Sequence, residues 1–383
     1  MALPLRYNLR SLSRRKTRAT MTALGIGLAV LVSVLMLALS TGLMNSIRAT
    51  GHPLNVLVTS KGAETTEFSA IDPAVLDVLR FSPYVAVENG HPLASPEIYF
   101  TTQVETAPGA RPAQALVRGV LPTALSVHDQ VRLSAGRSPD QPGEIMVGPL
   151  VAVNLGVPEE RLAIGQSLMF EGTPWKIVGR FVAPGTAFES EVWGPLDDLM
   201  VATRRSELSS VVLRAKDTAA MEEMLFDFAT RTDVLVEVRK ETAYYAAYAE
   251  AFRPVQLMVY VMTGMLILGG VFIGANTLFA ALMSRIREIG VLRTVGYRRS
   301  DIALAFLIES LIPAIIGGVL ACVIALCANG FALRIPMGAF RFEVGPSLLG
   351  AGLGLSVLIG IFGAAWPLCR SARLKTVDAI RHL

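Results

Sequence analysis

Residues 284–301 read SRIREIGVLRTVGYRRSD and lie between two long apolar runs. The stretch is rich in arginine, and its apolar residues recur at helical spacing opposite the charges: Ile286, Ile289, Val291 and Leu292. This pattern predicts a short amphipathic helix in the interface of a membrane. Gly290 and Gly296 indicate a bend or a close backbone approach, because glycine is unfavourable inside a helix. An ordinary positively charged loop that only sets membrane topology would have the same composition.

The composition of the chain indicates a membrane part and a soluble part. Of the 383 residues, 52% are hydrophobic and 17% are charged, and the mean hydropathy is +0.50. The chain is too apolar for a soluble protein and too mixed to lie wholly in a membrane. The net charge of +4 is small. The sequence shows no continuous basic face with interleaved aromatic residues, so nucleic acid is not an expected partner.

Four apolar runs are long enough to cross a hydrocarbon core of about 30 Å. We expect the four membrane helices at residues 19–44, 253–284, 301–333 and 344–369. Arginine and lysine concentrate in residues 1–18, 285–300 and 370–383. The positive-inside rule therefore predicts that these three segments, including both termini, are cytoplasmic, and that the loop at 334–343 is outside. Residues 1–18 themselves have the pattern of a basic amphipathic helix in the lipid interface.

Residues 45–252, between the first two membrane helices, are predicted to form an extracytoplasmic domain. β-rich stretches alternate irregularly with helical patches, which favours an α+β fold over a Rossmann sheet. We expect helices at residues 72–80 and 218–230, and strands at 55–59, 98–104, 115–120, 144–147, 168–170, 175–182, 210–213 and 234–238. At the end of this domain Tyr244, Tyr248 and Phe252 recur every four residues. This stripe fits either an interfacial aromatic belt or a stalk that faces a second copy.

The segment 287–296, REIGVLRTVG, resembles the coupling segment of the FtsX-like, MacB-type (type VII, LolC/LolE-related) family of ABC permeases. The glycine-containing series PGEIMVG at 142–148 and WKIVG at 175–179 is similar to the extracytoplasmic domain of that family. The resemblance implies a β-rich subdomain inserted at about 133–195. It also implies that the coupling segment docks on an ATPase subunit through Arg285, Arg287, Glu288, Ile289, Gly290, Leu292, Arg293 and Gly296.

The resemblance implies a function as well. The chain would be the permease subunit, without a fused ATPase domain, of an ABC system in the inner membrane. Its expected partners are an ATPase subunit, a second permease copy or a paralogue, and in some systems a periplasmic membrane-fusion protein. The expected task is extrusion of lipoproteins or export of a periplasmic substrate. The alternative is an FtsX-like subunit that transmits force to a cell-wall hydrolase.

The sequence contains no motif for catalysis by the chain itself. A P-loop needs a glycine followed by lysine, and no lysine of the chain follows a glycine. The four histidines are scattered singly, and Cys322, Cys327 and Cys369 lie in apolar runs, where cysteine behaves as a small hydrophobe. We therefore predict no catalytic residue, no metal site and no directly bound cofactor. ATP and Mg²⁺ would act through the partner ATPase.

Glu309 is the one carboxylate well inside a predicted membrane helix. Charged side chains there cost about 2.5–3.5 kcal/mol on insertion scales, which makes it a candidate functional residue. Two interpretations of Glu309 are a pairing with a basic residue of 285–300 and a substrate contact.

A second pattern is a set of small residues four apart, which lets membrane helices approach closely. These candidates for helix packing are Gly317 and Ala321, and Gly352, Ser356, Gly360 and Ala364.

Overall fold

The computed structural model describes residues 16–107, 109–231, 233–335 and 338–372. The chain divides into two compact units. The membrane unit contains the described residues up to Thr41, together with Pro254–Phe331 and the chain from Phe342 onward. The inserted domain contains Gly42–Arg253 and Ala332–Arg341. Most of the predicted basic segment 1–18 and of the tail 370–383 lies outside the described residues.

The described helices are α1 Lys16–Ala49, α2 Leu76–Arg80, α3 Ala124–Val127, α4 Val151–Leu155, α5 Leu196–Thr203, α6 Thr218–Thr230, α7 Glu241–Glu250, α8 Arg253–Met283, α9 Ile286–Thr294, α10 Arg299–Cys327 and α11 Pro346–Ala372. Short 3-10 turns are Thr66–Phe68, Pro73–Val75, Glu159–Leu162 and Ala187–Ser190. The strands are β1 Asn55–Ser60, β2 Val87–Glu88, β3 His91–Pro92, β4 Ala94–Val104, β5 Ala113–Val120, β6 Arg132–Gly136, β7 Glu144–Val147, β8 Ser167–Phe170, β9 Thr173–Val182, β10 Glu191–Pro195, β11 Ser210–Arg214, β12 Val236–Lys240, β13 Ala332–Ile335 and β14 Gly338–Arg341.

Four helices of the described chain are long and apolar enough to cross a membrane: α1, α8, α10 and the Pro346–Leu368 part of α11. This confirms the predicted four-helix architecture, and the largest differences from the expected bounds lie at two helix ends. α1 continues to Ala49 instead of residue 44, and Gly51 and Pro53 follow its end. α10 ends at Cys327 instead of residue 333, since Gly330 takes a left-handed φ of 82° and turns the chain.

The predicted loop 334–343 is a β-hairpin for most of its length. Strand β13 pairs antiparallel with β14, in a register that places Ala332 opposite Arg341 and Leu333 opposite Phe340. The hairpin belongs to the inserted domain, where the Ser190 hydroxyl donates to the Ala339 carbonyl over 3.2 Å. Most of these residues were expected to form a loop, and the sequence did not predict this pair of strands.

The inserted domain is built on one mixed sheet with the strand order β12-β1-β11-β4-β5-β10-β7-β9-β6, and β8 pairs with β9. This sheet confirms the predicted α+β class. The proposed insertion at 133–195 covers most of β6 and all of β7 to β10, and these strands continue the same sheet through the parallel pairing of β10 with β5. The sequence did not predict β6 or β10. Every residue of β6 is exposed, so it carries no alternating apolar pattern.

The core of the inserted domain lies between this sheet and the helices on its faces. Trp175, Phe170 and Ile98 are among its buried members. Helix α6 coincides with the predicted segment 218–230. It begins where the Asp217 carboxylate accepts from the Ala220 amide over 2.8 Å, and it buries Met221, Met224 and Phe228.

Candidate functional site

The candidate coupling segment is helix α9, which follows the end of α8 after two residues. Arg285 stands at its N-cap position, with φ −129° and ψ 13°, and this break from helical geometry separates α9 from α8. Gly296 ends the segment with φ 104°, a conformation that favours glycine, and α10 begins at Arg299. The second predicted glycine, Gly290, lies inside α9 and is buried. Of the two glycines, therefore, only Gly296 marks a bend.

Ile289 anchors α9 to the membrane unit. It is buried in a cluster with Leu278 and Leu282 of α8, Ile302 and Phe306 of α10, and Ala364 of α11. Through this side chain α9 packs against three membrane-spanning helices. A displacement of α9 must move these helices or cost the burial of Ile289, which is worth roughly 1.5–3 kcal/mol for a side chain of this size.

A buried ion pair ties the start of α9 to α10. The Arg285 guanidinium donates to the Glu309 carboxylate over 3.1 Å, and the two side chains are 8% and 11% exposed. Glu288 lies 3.9 Å from Arg285 and is 59% exposed. Arg285 therefore lies between an exposed carboxylate of α9 and a buried carboxylate of α10. A basic residue of the predicted coupling segment is thus the neighbour of Glu309.

The exposed face of α9 is mixed in character. Glu288, Val291 and Thr294 are exposed, and Arg293 is half-buried. Val291 was expected on the apolar face that lies against the membrane, and 55% of its surface is exposed within the chain. Among the described residues of α9, Ile289 and Gly290 are the buried ones. The side chains of Arg287 and Leu292 lie outside the described part of the chain.

The small residues of the membrane helices lie where helices cross closely. A side chain at Gly317 of α10 would collide with the backbone of Ala23 in α1, and one at Gly352 would stand 2.7 Å from Val34. A Cβ at Gly360 would lie 3.1 Å from the Ala314 side chain. Ala321, Ser356 and Ala364 are buried. These positions have no room for a larger side chain, as expected for close helix packing.

Comparison with known protein families identifies both units. Residues 19–230 match the MacB-like periplasmic core domain, and residues 260–376 match the FtsX-like permease C-terminal family. The first match alone covers more than half of the chain. The chain belongs to the FtsX/MacB-type ABC permeases. This confirms the resemblance seen in the coupling segment.

Known relatives of this permease are longer than the chain. The macrolide export ATP-binding/permease protein MacB 1/2 of Paracoccus denitrificans is 26% identical over 100% of the chain and 59% of its own length. The MacB protein of Acinetobacter baylyi is 23% identical over 97% of the chain and 58% of its own length. The permease therefore spans about three-fifths of these relatives. Among solved structures, the periplasmic region of MacB from Actinobacillus actinomycetemcomitans matches 51% of the chain and 92% of its own length, with 10% identity and a TM-score of 0.39.

The inserted domain of the permease contains a buried charge network that the sequence did not predict. Its five members are Glu97 of β4, Arg118 of β5, His128, Glu191 of β10 and Glu241 at the start of α7, and each is at most 5% exposed. Arg118 donates to both oxygens of Glu191 over 2.7 Å and to Glu97 over 2.6 Å. Its guanidinium also stacks on Tyr99, with 4.7 Å between the guanidinium carbon and the ring centroid.

His128 extends this network to α7. Its Nε2 lies 2.7 Å from Glu97, and its Nδ1 lies 3.7 Å from Glu241. Glu241 accepts from the His52 amide over 2.8 Å and from the Asn55 side chain over 2.9 Å. The network therefore joins three strands of the sheet to the first residue of α7, the helix that leads into the membrane-spanning helix α8.

Burial and neighbouring charges oppose each other in this network. Burial raises the pKa of Glu97, but the charges of His128 and Arg118 outweigh it and lower the pKa to about 2. Burial likewise lowers the pKa of His128, but Glu97 and Glu241 outweigh it and raise the pKa above 6.5. For Glu241 burial is the larger effect, and its pKa is raised although His128 lowers it. The geometry thus favours a cationic His128 between two carboxylates.

No group of His, Cys, Asp and Glu residues in the described chain could hold a metal ion.

The aromatic stripe of Tyr244, Tyr248 and Phe252 packs against residues of the same chain. Neither the interfacial belt nor the stalk that faces a second copy includes these contacts. Tyr248 and Phe252 pack around Met44 and Ile47 at the end of α1, together with Ala249 of α7 and Tyr245. Tyr244 is buried instead with Leu57, Val127 and Val212. The stripe therefore holds two helical segments of the inserted domain together.

Proposed function

We propose that this permease transmits the ATP-driven movement of a separate ATPase subunit to the inserted domain. The ATPase would dock on the exposed face of α9, around Glu288 and Arg293. The observation that carries this proposal is the double attachment of α9, by the apolar contact of Ile289 and by the Arg285–Glu309 ion pair. A force on α9 would reach α8 and α10 together through these contacts.

The proposed division of labour follows from the sequence and the relatives. The relatives are named as combined ATP-binding and permease proteins, whereas the 383 residues contain no glycine followed by lysine. ATP and Mg²⁺ would therefore bind a partner ATPase, and this chain would supply no catalytic residue. Two copies of the permease, or one copy and a paralogue, would pair with two ATPase subunits in the inner membrane.

The proposed task is extrusion of lipoproteins or export of a periplasmic substrate. The size of the inserted domain supports this task, since 212 residues match the MacB-like periplasmic core domain (19–230). Relatives with the same core domain are named macrolide export proteins. The inserted domain would move as a lever, in some systems against a periplasmic membrane-fusion protein. If the alternative holds and the permease activates a cell-wall hydrolase, a hydrolase will be recovered with it from native membrane.

Docking is tested by charge reversal at Glu288 and added bulk at Gly290. We expect Glu288→Arg to reduce co-purification of the ATPase about tenfold, a change of about 1.4 kcal/mol in binding free energy. Gly290→Leu should also reduce it, because bulk at this buried position displaces α9 and with it the exposed face. Glu160→Arg, at an exposed position of the inserted domain, is the matched control and should retain the ATPase. If both variants retain the ATPase at the wild-type level, α9 is not the docking site.

The proposed orientation has its own test. In a variant without native cysteines, Val295→Cys after α9 and Glu64→Cys in the inserted domain are both exposed. We expect a membrane-impermeant thiol reagent added to intact spheroplasts to label position 64 and not position 295. Labelling of both positions from outside would overturn the coupling mechanism, since α9 could not then meet a cytoplasmic ATPase.

A further inference from the structure

A cavity of about 290 Å³ opens on the inserted domain. Its apolar wall includes Leu121, Leu125 and Met146, and it lies between the loop before α3, the loop before β7 and the start of α5. Ligand-binding pockets for small molecules have volumes of roughly 300–1,000 Å³ and mostly apolar walls. The cavity is therefore close to the lower end of that range and suits a compact ligand.

Three carboxylates surround the apolar wall: Asp140, Asp197 and Asp198. None of the residues that line the cavity is basic. Asp140 pairs with Arg137, which also binds Glu144, and Asp198 accepts from the Gly143 amide over 3.2 Å. Asp197 is exposed and forms no ion pair within the described chain. The cavity thus combines an apolar interior with an excess of negative charge at its rim.

This combination selects the chemistry of the occupant. An anion would be repelled by the carboxylates, and a neutral apolar molecule would gain no attraction from them. A lysine or arginine side chain of a partner protein would supply the charge but would fill only part of the apolar volume. A compact organic cation satisfies both features, since apolar surface buried in the cavity adds about 25 cal/mol per Å².

We propose that this cavity binds a small apolar cation. The apolar body lies against Leu121, Leu125 and Met146, and the positive charge lies among Asp140, Asp197 and Asp198. Binding at this place needs neither the ATPase nor the coupling segment. A failure of this proposal would therefore leave the docking of an ATPase on α9 untouched, and the reverse also holds.

The test uses two probes of the same shape and opposite charge. Tetraphenylphosphonium and tetraphenylborate are each dialysed against the full chain in phosphatidylcholine nanodiscs, and binding to empty nanodiscs is subtracted. We expect saturable binding of tetraphenylphosphonium and no binding of tetraphenylborate above the background. Equal binding of both probes would overturn the proposal, because it would show that charge does not select the ligand.

Two variants locate the bound cation. Asp197→Asn should weaken tetraphenylphosphonium binding about fivefold, the upper range for one partly exposed ion pair. Asp77→Asn, an exposed aspartate of α2 that does not line the cavity, is the matched control and should bind like wild type. Ser138→Trp, at the rim, should abolish saturable binding by filling the opening. Unchanged affinity in Asp197→Asn, or saturable binding that survives Ser138→Trp, would place the cation elsewhere and refute the site.

Discussion

Glu309 in the membrane unit and Glu97 in the inserted domain are both carboxylates paired with an arginine, but their surroundings differ. Glu309 lies 3.1 Å from Arg285 and keeps 11% of its side chain exposed. Glu97 has no exposed surface and lies 2.6 Å from Arg118 and 2.7 Å from His128. A fully buried charge that loses its partner has no replacement for it, whereas Arg285 keeps Glu288 at 3.9 Å when it leaves Glu309.

This difference separates two uses of an ion pair. Glu97 must stay paired in every state of the folded domain, so it suits a permanent connection between the sheet and α7. The pair of Glu309 and Arg285 can loosen at lower cost, which suits a contact that changes when α9 moves. The predictions below test this comparison, first in the inserted domain and then in the membrane unit.

Arg118→Met should have the largest effect. It leaves Glu97 and Glu191 buried without their shared counter-charge, and removal of one partner of a buried ion pair costs roughly 3–5 kcal/mol. For a unit of this size, 1 kcal/mol shifts the unfolding temperature by about 2–4 °C. We therefore expect the inserted domain to unfold about 6–20 °C lower in thermal scans of the full chain.

The matched control is Arg161→Met, an exposed arginine of a 3-10 turn, which should leave the unfolding temperature unchanged. Hydrogen exchange provides a local measurement, since peptides from β4, β5 and β10 should exchange faster in Arg118→Met only. A variant as stable as the control would show that the buried network contributes nothing to stability.

His128→Gln should have the next largest effect and should change the pH dependence of stability. Loss of a hydrogen bond between charged groups costs about 1.5–3 kcal/mol. The pKa of His128 is raised in the folded state, so its protonation stabilises the fold below pH 6.5. This stabilisation is lost as the pH rises through the folded pKa. The unfolding temperature of wild type should therefore fall as the pH rises from 6.5, and that of the variant should not.

The other charged or titratable groups that face His128 include Glu241, His52 and Arg118. Burial raises the pKa of Glu241, so its protonation affects stability only from pH 4.5 upward to that raised pKa. Burial and Arg214 lower the pKa of His52 below 6.5, so His52 is neutral in the window above it. Arg118 stays charged throughout, because Glu191 and Glu97 raise its pKa against the effect of burial. A wild-type unfolding temperature that is flat above pH 6.5 would show that His128 is not protonated between Glu97 and Glu241.

The contrast between the two carboxylates also explains which of them the sequence could predict. Glu309 is conspicuous because the apolar run around it contains no other charged residue. The linear sequence alone is therefore enough to identify it as a candidate. Glu97 lies in strand β4, where an alternating pattern would place it on a solvent face. In the fold both faces of this strand are buried from Ala94 to Ile98. The sequence carries no signal for that burial, because residues distant in the chain cover the second face.

The same physical reason separates the predicted from the unpredicted parts of the fold. The four membrane helices and most strands follow from local hydrophobic patterns. The order of the strands depends on pairings such as β5 with β10, which lie more than 70 residues apart in register, for example Leu116 with Glu191. The charge network depends on these pairings, since Arg118 reaches Glu191 only across that parallel contact. Local patterns do not specify such contacts.

Glu309→Gln should have a smaller effect on stability and a clear effect on function. The amide keeps the shape and a hydrogen-bonding oxygen, and Glu288 remains 3.9 Å from Arg285, so we expect a loss of about 1 kcal/mol or less. ATPase activity stimulated by the permease should fall several-fold, while insertion into the membrane is retained. Glu343→Gln, an exposed carboxylate, is the matched control. Unchanged stimulated ATPase activity would remove Glu309 from the proposed mechanism.

Arg48→Ala should have the smallest effect on stability, because it removes the most exposed of the ion pairs compared. Arg48 pairs with Glu250 over 3.2 Å, and both side chains are about half exposed. Exposed ion pairs contribute roughly 0.2–1 kcal/mol, and Glu250 keeps Arg253 at 3.7 Å when Arg48 is removed. We expect the unfolding temperature to fall by no more than about 2 °C, and the fall to vanish in 1 M salt, where the Debye length is about 3 Å. If Arg48→Ala instead destabilises the inserted domain as much as Arg118→Met, burial does not decide the strength of these pairs.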